Sequence, residues 1–124
     1  MITGIGIDMV QIRRMERWRR QPGLLERYFH PQELAAVFEK KRDELDHALA
    51  LRFAAKEALG KALGGFAGRV LKDIMVVNHP GGRPELRVEG TTVEVLKKNG
   101  ANRIHLSLTH ERDSAVAMVV LEVV

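Results

Sequence analysis

The run "RFAAKEALGKALGG", Arg52 to Gly65, is rich in alanine and leucine and reads as a buried helix, yet it carries Arg52, Lys56, Glu57 and Lys61. It closes on Gly64-Gly65, a strong helix stop because glycine readily takes the left-handed conformation that ends a helix. Followed back to Arg42, the pattern predicts one long helix over residues 42–63. Helix residues three and four apart are neighbours, so positions 57, 60, 61 and 64 form one stripe with Glu57 beside Lys61. Two readings of that stripe stand. It is an i,i+4 ion pair on a solvated face, worth about 0.2–0.5 kcal/mol, or it is a row that a ligand approaches closely. An interior glycine costs a helix about 1 kcal/mol against alanine, so Gly60 asks for a reason of the second kind.

On either side of this helix the chain alternates short elements. Residues 2–10 read as a strand with Gly4, Gly6 and Asp8 on one face and Ile5, Ile7 and Met9 on the other. Residues 11–20 read as a short helix with Ile12 and Met15 inward, broken by Pro22-Gly23, and a second helix runs from Pro31 to about Lys41. Residues 73–78 and 85–88 form a hairpin around "HPGGRP". Thr91 with Glu94 offers a capping box for a helix closing at Asn99-Gly100. Two final strands, "RIHLSLTH" and "AVAMVVLEVV", are joined by "ERDS". The predicted order is β-α-α-α-β-β-α-β-β. This is an α+β fold in a single small domain over residues 1–124, an antiparallel sheet packed with one long and several short helices.

Composition narrows the function classes. Hydrophobic residues make up 45% and charged residues 29% of 124 residues, the balance of one globular domain with a true core. No apolar run is long enough to span a bilayer, and "MITGIGID" lacks the basic-then-apolar pattern of a secretory signal. The absence of cysteine excludes disulfides and thiolate metal sites and fits a cytoplasmic protein. A net charge of +4 suggests an acidic partner. Arg13, Arg14, Arg17, Arg19 and Arg20 fall within eight residues, opposed there by Glu16 alone. Nucleic acid is one candidate, but only Trp18 interrupts the basic run, whereas single-strand binders add stacking aromatics. An acidic protein surface fits at least as well.

Among polar residues, Asp8 follows Gly4 and Gly6 on its strand face, which leaves open space beside its carboxylate; alternatively it caps the helix that follows at Val10–Gln11. Asp8 and Glu57 together supply two hard oxygen donors of the kind that hold magnesium, with water and phosphate completing the shell. Lys61 would be a point charge for the same phosphate. Other motifs fail on spacing. "LGKA" lacks the first glycine and the hydroxyl residue of a P-loop, "GIGIDM" lacks the third glycine of a dinucleotide fingerprint, and no H-E-x-x-H occurs. His105 and His110 point to opposite faces of their strand and do not share a metal. His110, before the "ERDS" turn, either faces a cleft or is an ordinary exposed histidine.

Three stretches, "GIGIDMVQIRRM", "RFAAKEALGKALG" and "LSLTHERDSAVAMVVLE", occur in this order and resemble the short type of 4′-phosphopantetheinyl transferase, the holo-[acyl-carrier-protein] synthases. "GGRPEL" fits as well, so the resemblance covers nearly the whole chain. It implies the 4′-phosphopantetheinyl transferase fold and transfer of the arm of coenzyme A to a serine of apo acyl carrier protein, releasing adenosine 3′,5′-bisphosphate. It further implies Asp8 and Glu57 as Mg²⁺ ligands and Asp8, Glu57 and Lys61 as the catalytic set, with Glu57 a candidate base. Coenzyme A would meet Arg52, Lys61, Gly64, Gly82, Arg83, Pro84, Thr109 and His110, and the carrier would dock on Arg13, Arg14 and Arg17. Thr109 stands where many members have serine, keeping the hydroxyl. The family forms homotrimers with active sites between subunits. Two alternatives compete: a basic nucleic-acid-binding module on helix 13–20, and an inactive carrier-binding scaffold of the same fold. Scarce aromatics oppose the first. The joint presence of Asp8, Glu57, Lys61 and His110 opposes the second.

Overall fold

The computed structural model describes residues 1–65 and 71–124. Strand β1 (Ile2–Gln11) leads into helices α1 (Ile12–Arg19), α2 (Leu24–Tyr28), α3 (Pro31–Phe38) and the long α4 (Arg42–Ala62). A 3-10 turn (Leu71–Asp73), hairpin strands β2 (Ile74–Asn78) and β3 (Pro84–Val88), helix α5 (Thr91–Asn99) and strands β4 (Arg103–His110) and β5 (Ser114–Glu122) complete the chain. The α+β class is as expected. β1, β5 and β4 form one antiparallel sheet with β5 in the middle, and β2–β3 form a separate two-stranded sheet.

Helix α4 lies across the three-stranded sheet. On β5 the alternate residues Ala115, Ala117, Val119 and Leu121 are fully buried, and on α4 so are Leu49, Ala50, Ala54, Ala55, Ala58 and Leu59. Small residues dominate this seam because the backbones come close. A Cβ on Gly6 would overlap the Ala58 carbonyl oxygen and lie 2.7 Å from the Ala62 amide nitrogen, and one on Gly4 would overlap the Ala62 carbonyl oxygen. The space that Gly4 and Gly6 vacate is therefore filled by the long helix and is not open beside Asp8, which corrects the expectation from the strand pattern. Gly6→Ala should accordingly destabilise the fold by about 1–3 kcal/mol, the usual range for overpacking, because the obstructing atoms are backbone and no rotamer change relieves them. Urea unfolding measures this. A midpoint unchanged from wild type would mean that the strand and helix are less tightly apposed.

The opposite face of β1 is exposed and apolar. Ile5, Ile7 and Met9 are 65%, 58% and 67% exposed, and Met118 on β5 pairs with Ile7 and is 41% exposed.

Several local expectations change. The stretch after Pro22-Gly23 forms α2, a helix of five residues anchored by buried Leu25 and followed by buried Phe29; so short a segment owes its form to that burial and not to propensity. Strand β1 continues to Gln11, which is itself the N-cap residue of α1, so Asp8 caps no helix. The capping box expected of Thr91 and Glu94 is absent, because Thr91 is already inside α5 and Gly90, with φ of 62°, is its N-cap. A reciprocal cap occurs instead at α3. The Gln32 N–H donates to His30 Nδ1 at 3.0 Å, and the His30 N–H donates to Glu33 Oε1 at 3.1 Å. The glycine stop of α4 is present. Gly64 and Gly65 have φ of 86° and 75°, and the Gly65 N–H closes on the Gly60 carbonyl at 2.7 Å.

Candidate active site

The close apposition of β1 and α4 brings Asp8 and Lys61 together. Lys61 Nζ donates to Asp8 Oδ1 at 3.0 Å and to the Ile7 carbonyl at 2.9 Å. Glu57 lies one turn earlier on the same helix row and is half-buried. The Asp8 side chain is largely covered while that of Lys61 is more than half exposed, so the carboxylate is fixed and the ammonium free to reach outward. These oxygens already accept a cationic group, and a carboxylate, a carbonyl and a neighbouring glutamate are hard donors that suit Mg²⁺. No cluster of three His, Cys, Asp or Glu gathers around a metal position among the described residues.

Gly60, read from sequence as exposing the helix to a ligand, is buried. Gly64 is exposed and belongs to the turn that ends α4. The Glu57–Lys61 row therefore presents two side chains and a terminal glycine, not a bare helix backbone.

A second group lies on the other flank of α4. A cleft of about 480 Å³ has Lys40, Asp43, Glu44, His47, Arg52, Asn78, Leu108 and His110 in its lining. His110 does face a cleft, and its ring meets that of His47 edge-on at 5.1 Å. Arg52 is only 7% exposed; it donates to the Ala48 carbonyl at 3.2 Å, while its buried Nε has no partner among the described residues. Burial lowers its pKa, partly offset by Glu33. An unsatisfied buried guanidinium N–H is costly, and an anion entering the cleft would relieve it. Pro84 pairs with the cleft residue Asn78 across the hairpin, and Gly82, with φ of 87°, shapes the turn that carries exposed Arg83. Thr109 pairs with Val116 and so faces the side of the sheet opposite to His110.

The structure thus sorts residues that the sequence reading treated as one site into two groups. Asp8 sits on one outer strand of the sheet and His110 on the other, with β5 between them and α4 above. Arg52 and Glu57 are five residues apart on α4, roughly 140° around its axis.

Lys56, one residue before Glu57, has a role that the sequence expectations do not include. This residue is completely buried, and its Nζ donates to Glu33 Oε1 at 2.5 Å, to the Leu71 carbonyl at 3.0 Å and to the Ile74 carbonyl. Burial lowers its pKa and Glu33 opposes the shift. A signal existed: Leu45, Leu49, Arg52, Lys56 and Leu59 follow the alternating four-and-three spacing of a buried helix row.

The arginine-rich helix is also more committed than its sequence suggests. Arg14 is half-buried, its guanidinium carbon 4.8 Å from the Trp18 ring centre and 5.0 Å from that of Phe53. Arg19 pairs with Asp46 at 2.9 Å, a hydrogen bond that raises its pKa, and Arg20 pairs with Glu16 at 2.8 Å. Arg13 and Arg17 are exposed.

The fold and its two side-chain groups define an α+β domain equipped for a phosphate-bearing ligand. Comparison with known proteins agrees. The pattern defining the 4′-phosphopantetheinyl transferase superfamily matches residues 4–119. Holo-[acyl-carrier-protein] synthase from Treponema denticola is 53% identical over 123 residues, covering 98% of this chain and 99% of its own. The crystal structure of holo-[acyl-carrier-protein] synthase from Neisseria meningitidis matches with a TM-score of 0.87 at 34% identity, over 98% of this chain and 99% of that one. That of the Bacillus anthracis holo-(acyl-carrier-protein) synthase in complex with CoA (3′,5′-ADP) matches with a TM-score of 0.83 at 35% identity, over 100% and 99%. The chain belongs to the 4′-phosphopantetheinyl transferase superfamily.

Proposed function

We propose that this protein transfers the 4′-phosphopantetheine arm of coenzyme A to a serine of apo acyl carrier protein, releasing adenosine 3′,5′-bisphosphate. The observation that carries this reading is the meeting of Lys61 with Asp8 across the β1–α4 seam, on the helix row of Glu57. The serine oxygen attacks the phosphorus that bears the pantetheine arm, and the bond from that phosphorus to the oxygen of the departing nucleotide breaks. Negative charge on the phosphate oxygens is met by the Lys61 ammonium, which is exposed enough to swing from Asp8 to the substrate. Glu57 takes the serine proton through a bridging water. Asp8 and Glu57 would hold Mg²⁺, which when bound supplies further neutralisation of the pyrophosphate.

The second group binds the nucleotide end, with Arg52, His110 and the Gly82–Arg83–Pro84 turn around coenzyme A and Thr109 on the opposite face of the sheet. The two groups occupy opposite flanks of α4, and the exposed ribbon of Ile5, Ile7, Met9 and Met118 wants an apolar partner. Both features favour a homotrimer in which Asp8, Glu57 and Lys61 of one copy face the Arg52–His110 cleft of the next. No helix among the described residues is long and apolar enough to cross a membrane, and the site of action we assign is the cytoplasm. Mass spectrometry of apo carrier protein incubated with this protein, coenzyme A and Mg²⁺ tests the function. A mass increase equal to the arm is expected, and unmodified carrier after prolonged incubation would reject the reading.

The carrier docks on α1 through the exposed Arg13 and Arg17, with Arg14 held against Trp18 and Phe53 at the edge of that face. Arg17→Glu should raise the KM for carrier several-fold and leave the KM for coenzyme A unchanged, since exposed charge mainly steers encounter. The carrier KM of the wild type should also rise with salt, because such charges are screened over about 8–10 Å at physiological ionic strength. A carrier KM indifferent to both would remove α1 from the docking surface.

A further inference from the structure

The turn between β4 and β5 is tied to the start of α1, since the Ile12 N–H donates to the Asp113 carbonyl at 2.9 Å. This tether holds Arg112 beside Arg13, and both line a surface depression of about 530 Å³ together with Gln11, Glu16, Asp46 and Asp113. The depression holds two arginines and three carboxylates, but the carboxylates are not equally available. Glu16 is neutralised by Arg20 at 2.8 Å and Asp46 by Arg19 at 2.9 Å. Asp113 is left as the one acid there without a cationic partner among the described residues, so two arginines face a single uncompensated carboxylate. Arg112 is exposed and makes no ion pair or side-chain hydrogen bond with the described residues. It also stands two residues after His110, on the turn that leads away from the nucleotide cleft.

We propose that Arg112 is a specificity-determining contact for the carrier protein, extending the docking face of α1 onto the β4–β5 turn. The occupant is an acidic protein, because the depression presents excess positive charge from two chain segments held in fixed relation. A helix alone offers a line of charge along which a partner can slide. Adding Arg112 off that line makes a triangle with Arg13 and Arg17, which fixes orientation as well as position. Such a contact acts on binding and not on the chemical step.

This inference rests on the carrier-docking reading above, and the experiment separates the two. Steady-state transfer is measured with apo carrier protein varied at saturating coenzyme A, for wild type, Arg112→Glu, Arg112→Lys and Arg17→Glu. Arg112→Glu should raise the carrier KM by roughly three- to tenfold, with kcat and the coenzyme A KM within about twofold of wild type. Arg112→Lys, which keeps the charge, should stay near wild type, and added salt should narrow the gap between Arg112→Glu and wild type. An unchanged carrier KM in Arg112→Glu, with a raised one in Arg17→Glu, overturns the role of Arg112 and leaves the α1 face standing. If neither variant changes it, both the inference and the docking face fall. A fall in kcat in Arg112→Glu without change in carrier KM would also overturn it, placing Arg112 with the cleft of His110.

Discussion

Asp8→Asn should slow arm transfer by about 10²–10³-fold, the usual penalty for removing one charge-organising group from a polar transition state. The substitution keeps the shape of the side chain and removes its charge. It withdraws one of the two carboxylates proposed to hold Mg²⁺ and turns the ion pair with Lys61 into a hydrogen bond to a neutral amide oxygen. Stability should hardly change, because the ion pair lost is at the surface, with the lysine more than half exposed, and such pairs contribute about 0–1 kcal/mol. Wild-type activity should be lost on removal of divalent cations and return with Mg²⁺. The alternative, that Asp8 and Lys61 form only a structural pair across the seam, predicts the same small effect on stability but full activity. Single-turnover rates beside a thermal unfolding curve for the same variant decide between them, and a wild-type rate in Asp8→Asn would end the catalytic assignment.

Features set by local periodicity are legible in the sequence alone. Strand β4 has the bounds expected of "RIHLSLTH", and α4 starts at Arg42 and stops at its glycine pair, because alternation and helical spacing are properties of a few neighbouring residues. Gly4 and Gly6 show the limit of such reading. A strand glycine declares that something comes close, but whether ligand or helix occupies the space depends on residues fifty positions away, here Ala58 and Ala62. Competition decides the caps in the same way. Thr91 is a good capping residue, yet the chain enters the helix through Gly90 with φ of 62°, a conformation that strains residues other than glycine, and the threonine lies inside the helix. For the site, Asp8, Glu57, Lys61 and His110 all stand out by residue type and spacing, and the structure joins Asp8 to Lys61 while sending His110 to the far flank of α4. Their division follows from strand order, which no stretch of sequence contains.

Two lysines five residues apart on α4 have opposite fates that their spacing does not announce. Lys61 is exposed and Lys56 is fully buried, so the ion pair that matters most to the fold lies one residue before the glutamate that stands out in the sequence. Lys56→Met should destabilise the protein by about 3–5 kcal/mol, the range for stranding one charge of a buried pair. Methionine fills the volume, so lost packing is a minor part of the effect. Glu33 keeps the N–H groups of His30 and Val76 but loses its cation, and the Leu71 and Ile74 carbonyls lose a shared donor. Adding Glu33→Gln should recover part of the deficit by removing the stranded charge, whereas independent contributions would make the two losses add. The site should register the change as well. Lys56 ties α4 to α3 and to the start of β2, and β2 ends at Asn78 in the cleft of Arg52 and His110. At a temperature where Lys56→Met remains folded, its KM for coenzyme A should rise while Lys61 still meets Asp8 and kcat is largely kept. Urea unfolding of both single variants and the double variant, with coenzyme A kinetics on Lys56→Met, tests each part. Additive losses would show that Lys56 and Glu33 do not act as a pair, and an unchanged KM would detach the buried pair from the cleft.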